Sequence, residues 1–153
     1  MIQRKQTLYL LLSGLLMLIP IYLPMLDVIT SDMLYSFFST GFQDMSGEIV
    51  FQTWVLFGLN ILVVLLSLVT IFLFKNRVLQ MRITVFNLIL KFGFYGLGIL
   101  YFYNFHKTLD NIIEPGIIRP WIAIPIVCMI LDYLAHRAIA IDERTVRYMY
   151  RLR

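Results

Sequence analysis

Apolar residues along this chain gather into four long runs, at about 8–26, 54–74, 83–105 and 117–135, with short polar breaks between them. The clearest run is Ile83 to Phe105, ITVFNLILKFGFYGLGILYFYNF, 23 residues carrying a single charge, Lys91. A bilayer core of about 30 Å is crossed by roughly 20 helical residues, so each run is close to or beyond the required length. The first, Leu8 to Leu26, has no charge and is broken only by Pro20 and Pro24. No A-x-A-like cleavage site follows it, so it reads as a retained span, kinked by the prolines near its outer end, and not as a secretory signal. The second starts at Trp54, an interfacial anchor, and the fourth follows Pro120, a residue suited to a first helical turn.

The breaks carry the orientation. Arg4, Lys5, Lys75, Arg77 and Arg82 fall on one side together with Arg137, Arg144, Arg147, Arg151 and Arg153 of the tail. Only Lys107 and Arg119 fall on the other, and the positive side of a membrane protein faces the cytoplasm. The expectation is an all-α integral membrane protein, a single domain 1–153 forming an antiparallel four-transmembrane-helix bundle with both termini cytoplasmic. The outer loop, 27–53, is acidic, with β-prone stretches Leu34–Phe42 and Ile49–Thr53 around a turn-rich DMSG. A small β-hairpin fits that pattern, and a pair of short interfacial helices is the alternative.

Composition agrees with this class. The chain is 60% hydrophobic and only 14% charged, with a mean hydropathy of +0.82, against about a quarter charged in soluble domains. The net charge of +4 is explained by topology and does not call for nucleic acid. One cysteine, Cys128, excludes an intrachain disulfide or a cysteine metal cluster. His106 and His136 fall on opposite sides of the membrane and cannot share a metal. No G-x-S-x-G, H-E-x-x-H, P-loop or dinucleotide fingerprint occurs, so no catalytic residue, metal or cofactor is assigned.

Two charges lie within the spans. Lys91 is roughly 12 Å from the start of its run and Asp132 roughly 5 Å from the inner end of the fourth, at 1.5 Å per residue. The two helices run in opposite directions and side chains lean toward their own amino ends, so the groups converge in depth. Asn87, one turn before Lys91, shares its face, and Asn60 of the second span has no local backbone solution for its amide. Asn60, Asn87, Lys91 and Asp132 are therefore the candidate intramembrane polar site, open to an ion or proton role or to a structural one. In the tail, 136–153, Ile141, Thr145, Tyr148 and Leu152 recur at helical spacing beside the arginines. That pattern gives a basic amphipathic helix, with Arg137, Arg144, Arg147, Arg151 and Arg153 as contacts for anionic headgroups or a cytoplasmic partner.

Three stretches, MIQRKQTLYLLL, IFLFKNRVLQMRI and LAHRAIAIDERTVRYMYRLR, resemble an uncharacterised family of four-span inner-membrane proteins of Bacteroidota, known only as a domain of unknown function. The likeness covers the whole chain. Its most specific part is the close, where Ala135, Arg137, Ile139, Asp142, Glu143, Val146, Arg147, Arg151, Leu152 and Arg153 match and Ile141, Thr145, Tyr148 and Tyr150 depart. The resemblance implies fold and location and supplies no substrate. The expected function is a non-enzymatic accessory or scaffold subunit of a larger bacterial inner-membrane complex, such as a translocase, envelope or respiratory assembly. Its expected partners are membrane lipids and other integral subunits. The alternative is a small transporter or lipid-binding membrane protein using the Lys91/Asp132 region.

Overall fold

The structure, a computed structural model, describes residues 3–30, 33–74, 76–109 and 113–151. Among the described residues four helices are long and apolar enough to cross a membrane, over Lys5–Tyr22, Trp54–Phe72, Arg77–Thr108 and Pro120–Thr145. The first is split into α1 (Gln3–Leu16) and α2 (Ile19–Tyr22). Pro20 has no N–H to continue the ladder, and the chain tightens before it, with the Leu18 amide reaching back three residues to Leu15. The others are α3 (Trp54–Phe72), α4 (Arg77–Leu109) and α5 (Ile124–Arg151), the last entered through a 3-10 turn at Pro120–Ala123. Each helix touches two neighbours, in the cyclic order α1, α3, α4, α5, all antiparallel.

The all-α expectation is corrected. The described residues are 71% helical, but they also build a five-stranded antiparallel sheet. Its strands are β1 (Leu26–Thr30), β2 (Leu34–Phe38), β3 (Gly41–Gln43), β4 (Ile49–Gln52) and β5 (Ile113–Ile118), in the order β4-β3-β2-β1-β5. The stretch expected as one hairpin arm, Leu34–Phe42, turns back on itself at Ser39 and Thr40, so that Phe37 pairs with Phe42. The fifth strand comes from the far side of α3 and α4, a non-local pairing that local periodicity does not reveal. Leu26 faces Ile118 and Asp27 faces Ile117, with a bulge between Asp27 and Ile29. Gly116 permits that bulge, since a Cβ there would come within 2.2 Å of the Asp27 carbonyl oxygen. The turn between β3 and β4 is closed by Asp44, which accepts from the Ser46 amide and hydroxyl and from the Glu48 amide. The Ser46 hydroxyl holds the Asp44 carboxyl below its ordinary range.

The sheet sits on the end of the bundle opposite the termini. At 33 residues α4 is roughly 50 Å long, well beyond a 30 Å hydrocarbon core, and its last turns carry the sheet. Phe105 of α4 stacks on Phe42 at 3.9 Å, and Phe42 stacks on Phe37 at 4.5 Å. Met25, Val28, Leu56 and Phe94 complete this core. The segments read as a tight connection (75–82) and as a separate tail (136–153) are largely helical, continuing α4 and α5 to Arg77 and Arg151.

Substituting Gly116→Ala would press a methyl into the β1 backbone and should cost about 1–3 kcal/mol. The expected result is a lower melting temperature together with faster amide exchange across Leu26–Thr30. Unchanged protection of that strand would contradict the sheet register.

Candidate functional site

Inside the bundle the buried positions step by four and three along every helix. They include Gln6, Leu10 and Ser13 on α1 with Met17 just past its end, and Leu56, Asn60, Val63, Ser67 and Thr70 on α3. On α4 they are Gln80, Thr84, Asn87, Lys91 and Phe94, and on α5 Cys128, Asp132, Ala135, Ile139 and Asp142. This is the seam of a coiled coil, but many seam positions are polar while the outward faces are apolar. In a hydrocarbon solvent that inversion is sensible, because polar side chains find partners only in the interior.

The centre of the seam holds a closed cluster. Lys91 Nζ lies 2.6 Å from Asp132 Oδ2, and both side chains are fully buried. The same ammonium donates to Ser13 Oγ at 2.6 Å, and the Ser13 hydroxyl donates to Asp132 Oδ1 at 2.7 Å. Asn87 Nδ2 donates to Asp132 Oδ2 at 3.3 Å and to Ser67 Oγ at 2.8 Å, and the Ser67 hydroxyl passes its own proton to the Val63 carbonyl. Every helix of the bundle thus contributes a member: Ser13 from α1, Ser67 from α3, Asn87 and Lys91 from α4, and Asp132 from α5. Gly14 allows the tight approach, since a Cβ there would sit 3.2 Å from the Ser67 Cβ.

Of the four residues expected together, Asn87, Lys91 and Asp132 meet and Asn60 does not. Asn60 lies two turns nearer the sheet, where its amide points at Ser39 Oγ at 3.5 Å. Ser13 and Ser67 were missed, because a hydroxyl in an apolar helix can always return to its own backbone. The signal that could have found them was spacing: Ser67 falls seven residues after Asn60, and Ser13 is the one serine or threonine in the run Leu8–Leu26. Arg137 and Arg144 are exposed on α5. The side chains of Arg147 and Arg151, and the whole of Arg153, lie outside the described residues.

Two further polar contacts frame the cluster. Toward the sheet, the Arg119 Nε and Nη2 atoms both reach Asp27 Oδ2 at 2.6 Å, and Ser36 donates to Asp27 Oδ1 at 2.9 Å. Toward the termini, Gln6 donates to Asp142 Oδ2 at 2.8 Å, and Arg77 donates to the Asp142 carbonyl at 3.1 Å. Among the described residues no group of three or more His, Cys, Asp or Glu could hold a metal.

The Lys91–Ser13 distance would suit a serine–lysine nucleophilic pair. An ammonium held against a carboxylate has no lone pair to take the serine proton, however, and the cluster is sealed on all sides. Its contacts tie the four helices to one another. Replacing one partner leaves the other charge buried and uncompensated, while replacing both removes the desolvation cost as well. Lys91→Met should therefore destabilise by about 3–5 kcal/mol, and Lys91→Met with Asp132→Leu should recover most of that loss. Thermal unfolding of the purified variants in mild detergent checks this. A double variant no more stable than the single one would contradict it.

Neither a curated protein nor a solved structure gives a significant match to the chain. A family profile with the description "Domain of unknown function (DUF4293)" matches residues 2–152, nearly the full length. The chain belongs to that family.

Proposed function

We propose that this protein is a non-enzymatic scaffold, an accessory subunit of a larger complex in a bacterial inner membrane. In this reading α1–α2, α3, α4 and α5 span the bilayer, both termini are cytoplasmic, and the sheet caps the outer end. The observation that carries it is how the buried charge is used. Lys91 and Asp132, with no exposed surface, are spent on each other, on Ser13 and on Asn87. An ion or proton site needs a charged group that can exchange partners with a solute, and here exchange would require opening the seam of all four helices. The rigid interior leaves the outward surfaces as the working parts. These are the apolar flanks of α3 and α4, the exposed edge strand β4, and the basic end of α5 with Arg137 and Arg144.

The assembly is tested by native electrophoresis of membranes solubilised in mild detergent. The scaffold reading expects the chain to migrate at several times its 18.0 kDa with a stoichiometric companion. Migration of the whole population as a single chain with its detergent belt would overturn it. Orientation has a separate test, because the sole cysteine is buried. A membrane-impermeant maleimide on intact cells should label Met45→Cys, at the exposed tip of the sheet, and leave Arg144→Cys untouched until the membrane is opened. The reverse pattern would invert the topology.

A further inference from the structure

The half of the bundle nearest the sheet contains a cavity of about 210 Å³. Phe94, Gly98, Ile99 and Phe102 of α4 form one wall, and Phe37 of β2 and Ile122 of the 3-10 turn form the other. Ile99 is 69% exposed, so the cavity opens on the flank of α4. Gly98 leaves it wide, since a Cβ added there meets nothing within 4 Å. Phe94 and Phe102 stand 11 and 19 residues past Ile83. At 1.5 Å per residue that places the cavity roughly 17–29 Å along the span, within the hydrocarbon of the leaflet on the sheet side.

The residue bonded through its backbone to the lining is a cation, Arg119. The Arg119 amide donates to the Met25 carbonyl, and the Arg119 carbonyl accepts from the Ile122 amide, so its backbone is tied to two residues of the lining. Asp27 engages Nε and Nη2 from one side, yet the Arg119 side chain remains 47% exposed. The wall is apolar, and its one hydroxyl, Tyr95, already donates to the Ile122 carbonyl. The wall offers a quinone no free donor, and the exposed part of Arg119 binds a phosphate's charge more strongly than a neutral carbonyl. A partner helix, about 10–12 Å across, does not fit a cavity of this size. An alkyl chain fits both the shape and the chemistry, and a phosphate suits the exposed guanidinium of the arginine whose backbone is tied to the lining.

We propose that the cavity holds one acyl chain of an anionic phospholipid from the sheet-side leaflet, with its phosphate against the exposed part of Arg119. The proposal rests on the reading of the helices as membrane spans and is independent of the scaffold role. Arg119 then has two tasks: it neutralises Asp27 inside the sheet and presents its remaining donors to the lipid.

The test uses the full chain in lipid nanodiscs containing phosphatidylglycerol with a photoreactive diazirine on the acyl chain. Crosslinked peptides are mapped by mass spectrometry. The expected label concentrates on the peptide spanning 94–102, at several times the level on Leu62 and Leu65, which are exposed on α3. Gly98→Phe, which fills the cavity from a position with free space, should cut the label on 94–102 at least fivefold and leave α3 labelling and the melting temperature unchanged. Gly98→Ala, adding one methyl, should stay near the parent. Label spread evenly over α3 and α4 and indifferent to Gly98→Phe would overturn the cavity assignment. Displacement of the label by an added quinone would overturn the choice of occupant. Equal labelling by the phosphatidylcholine analogue would overturn the role given to Arg119. No label on either helix would instead remove the membrane-spanning reading on which the proposal rests.

Discussion

An ammonium and a carboxylate held in contact inside a helix bundle, with no exposed surface on either side chain, are the constraint around which this molecule is built. Two buried charges are tolerable only when geometry is good and the remaining hydrogen-bonding positions are filled. Here Ser13 and Asn87 occupy most of them and Ser67 in turn orients Asn87, while the Asn87 side-chain oxygen stays without a partner among the described residues. Each of these groups comes from a helix that must keep its rotation and its height for the cluster to close. The pair therefore acts less as a source of net stability than as a means of register. Sliding or turning any one helix would strand a charge in a medium that cannot solvate it. A seam of leucines would be satisfied by many such arrangements.

Register in the bundle is passed to the sheet through α4. The helix that carries Lys91 and Asn87 also carries Phe94 and Phe105, which belong to the sheet-side core. Phe105 lies flat on Phe42, so the height of α4 is read directly by β3. On the other side, β5 leads through Arg119 into the 3-10 turn and α5, the helix that bears Asp132. The cap is thus bound at two points to the two helices that share the ion pair. Arg119 and Asp27 form a second charged contact at that junction, partly exposed and placed where the chain changes from strand to helix.

Much of the bundle was legible in the sequence, since long apolar runs with basic residues collected on one side leave little freedom in helix number. The meeting of Lys91 and Asp132 was legible too, from depth and the direction in which side chains lean. The sheet was not. Leu26 closes the first apolar run and Asp27–Thr30 reads as the start of the acidic outer loop, and Ile113–Ile118 contains Pro115 and Gly116, which signal a turn when seen locally. Only the pairing of these two distant segments makes strands of them. Asn60 was assigned to the central site on chemical type alone, while the seven-residue spacing that separates it from Ser67 places it two turns away. The polar seam itself could have been read from that same four-and-three spacing, had the serines and threonines been given weight.

The chain has only four lysines, Lys5, Lys75, Lys91 and Lys107, which makes the central claim accessible to side-chain nitrogen NMR on lysine-labelled protein in nanodiscs. A sealed ion pair predicts one ammonium resonance, that of Lys91, with protons that resist exchange with deuterated solvent and with a through-space contact to the Asp132 carboxylate. Rapid exchange at all four lysines, or a Lys91 signal without that contact, would contradict it.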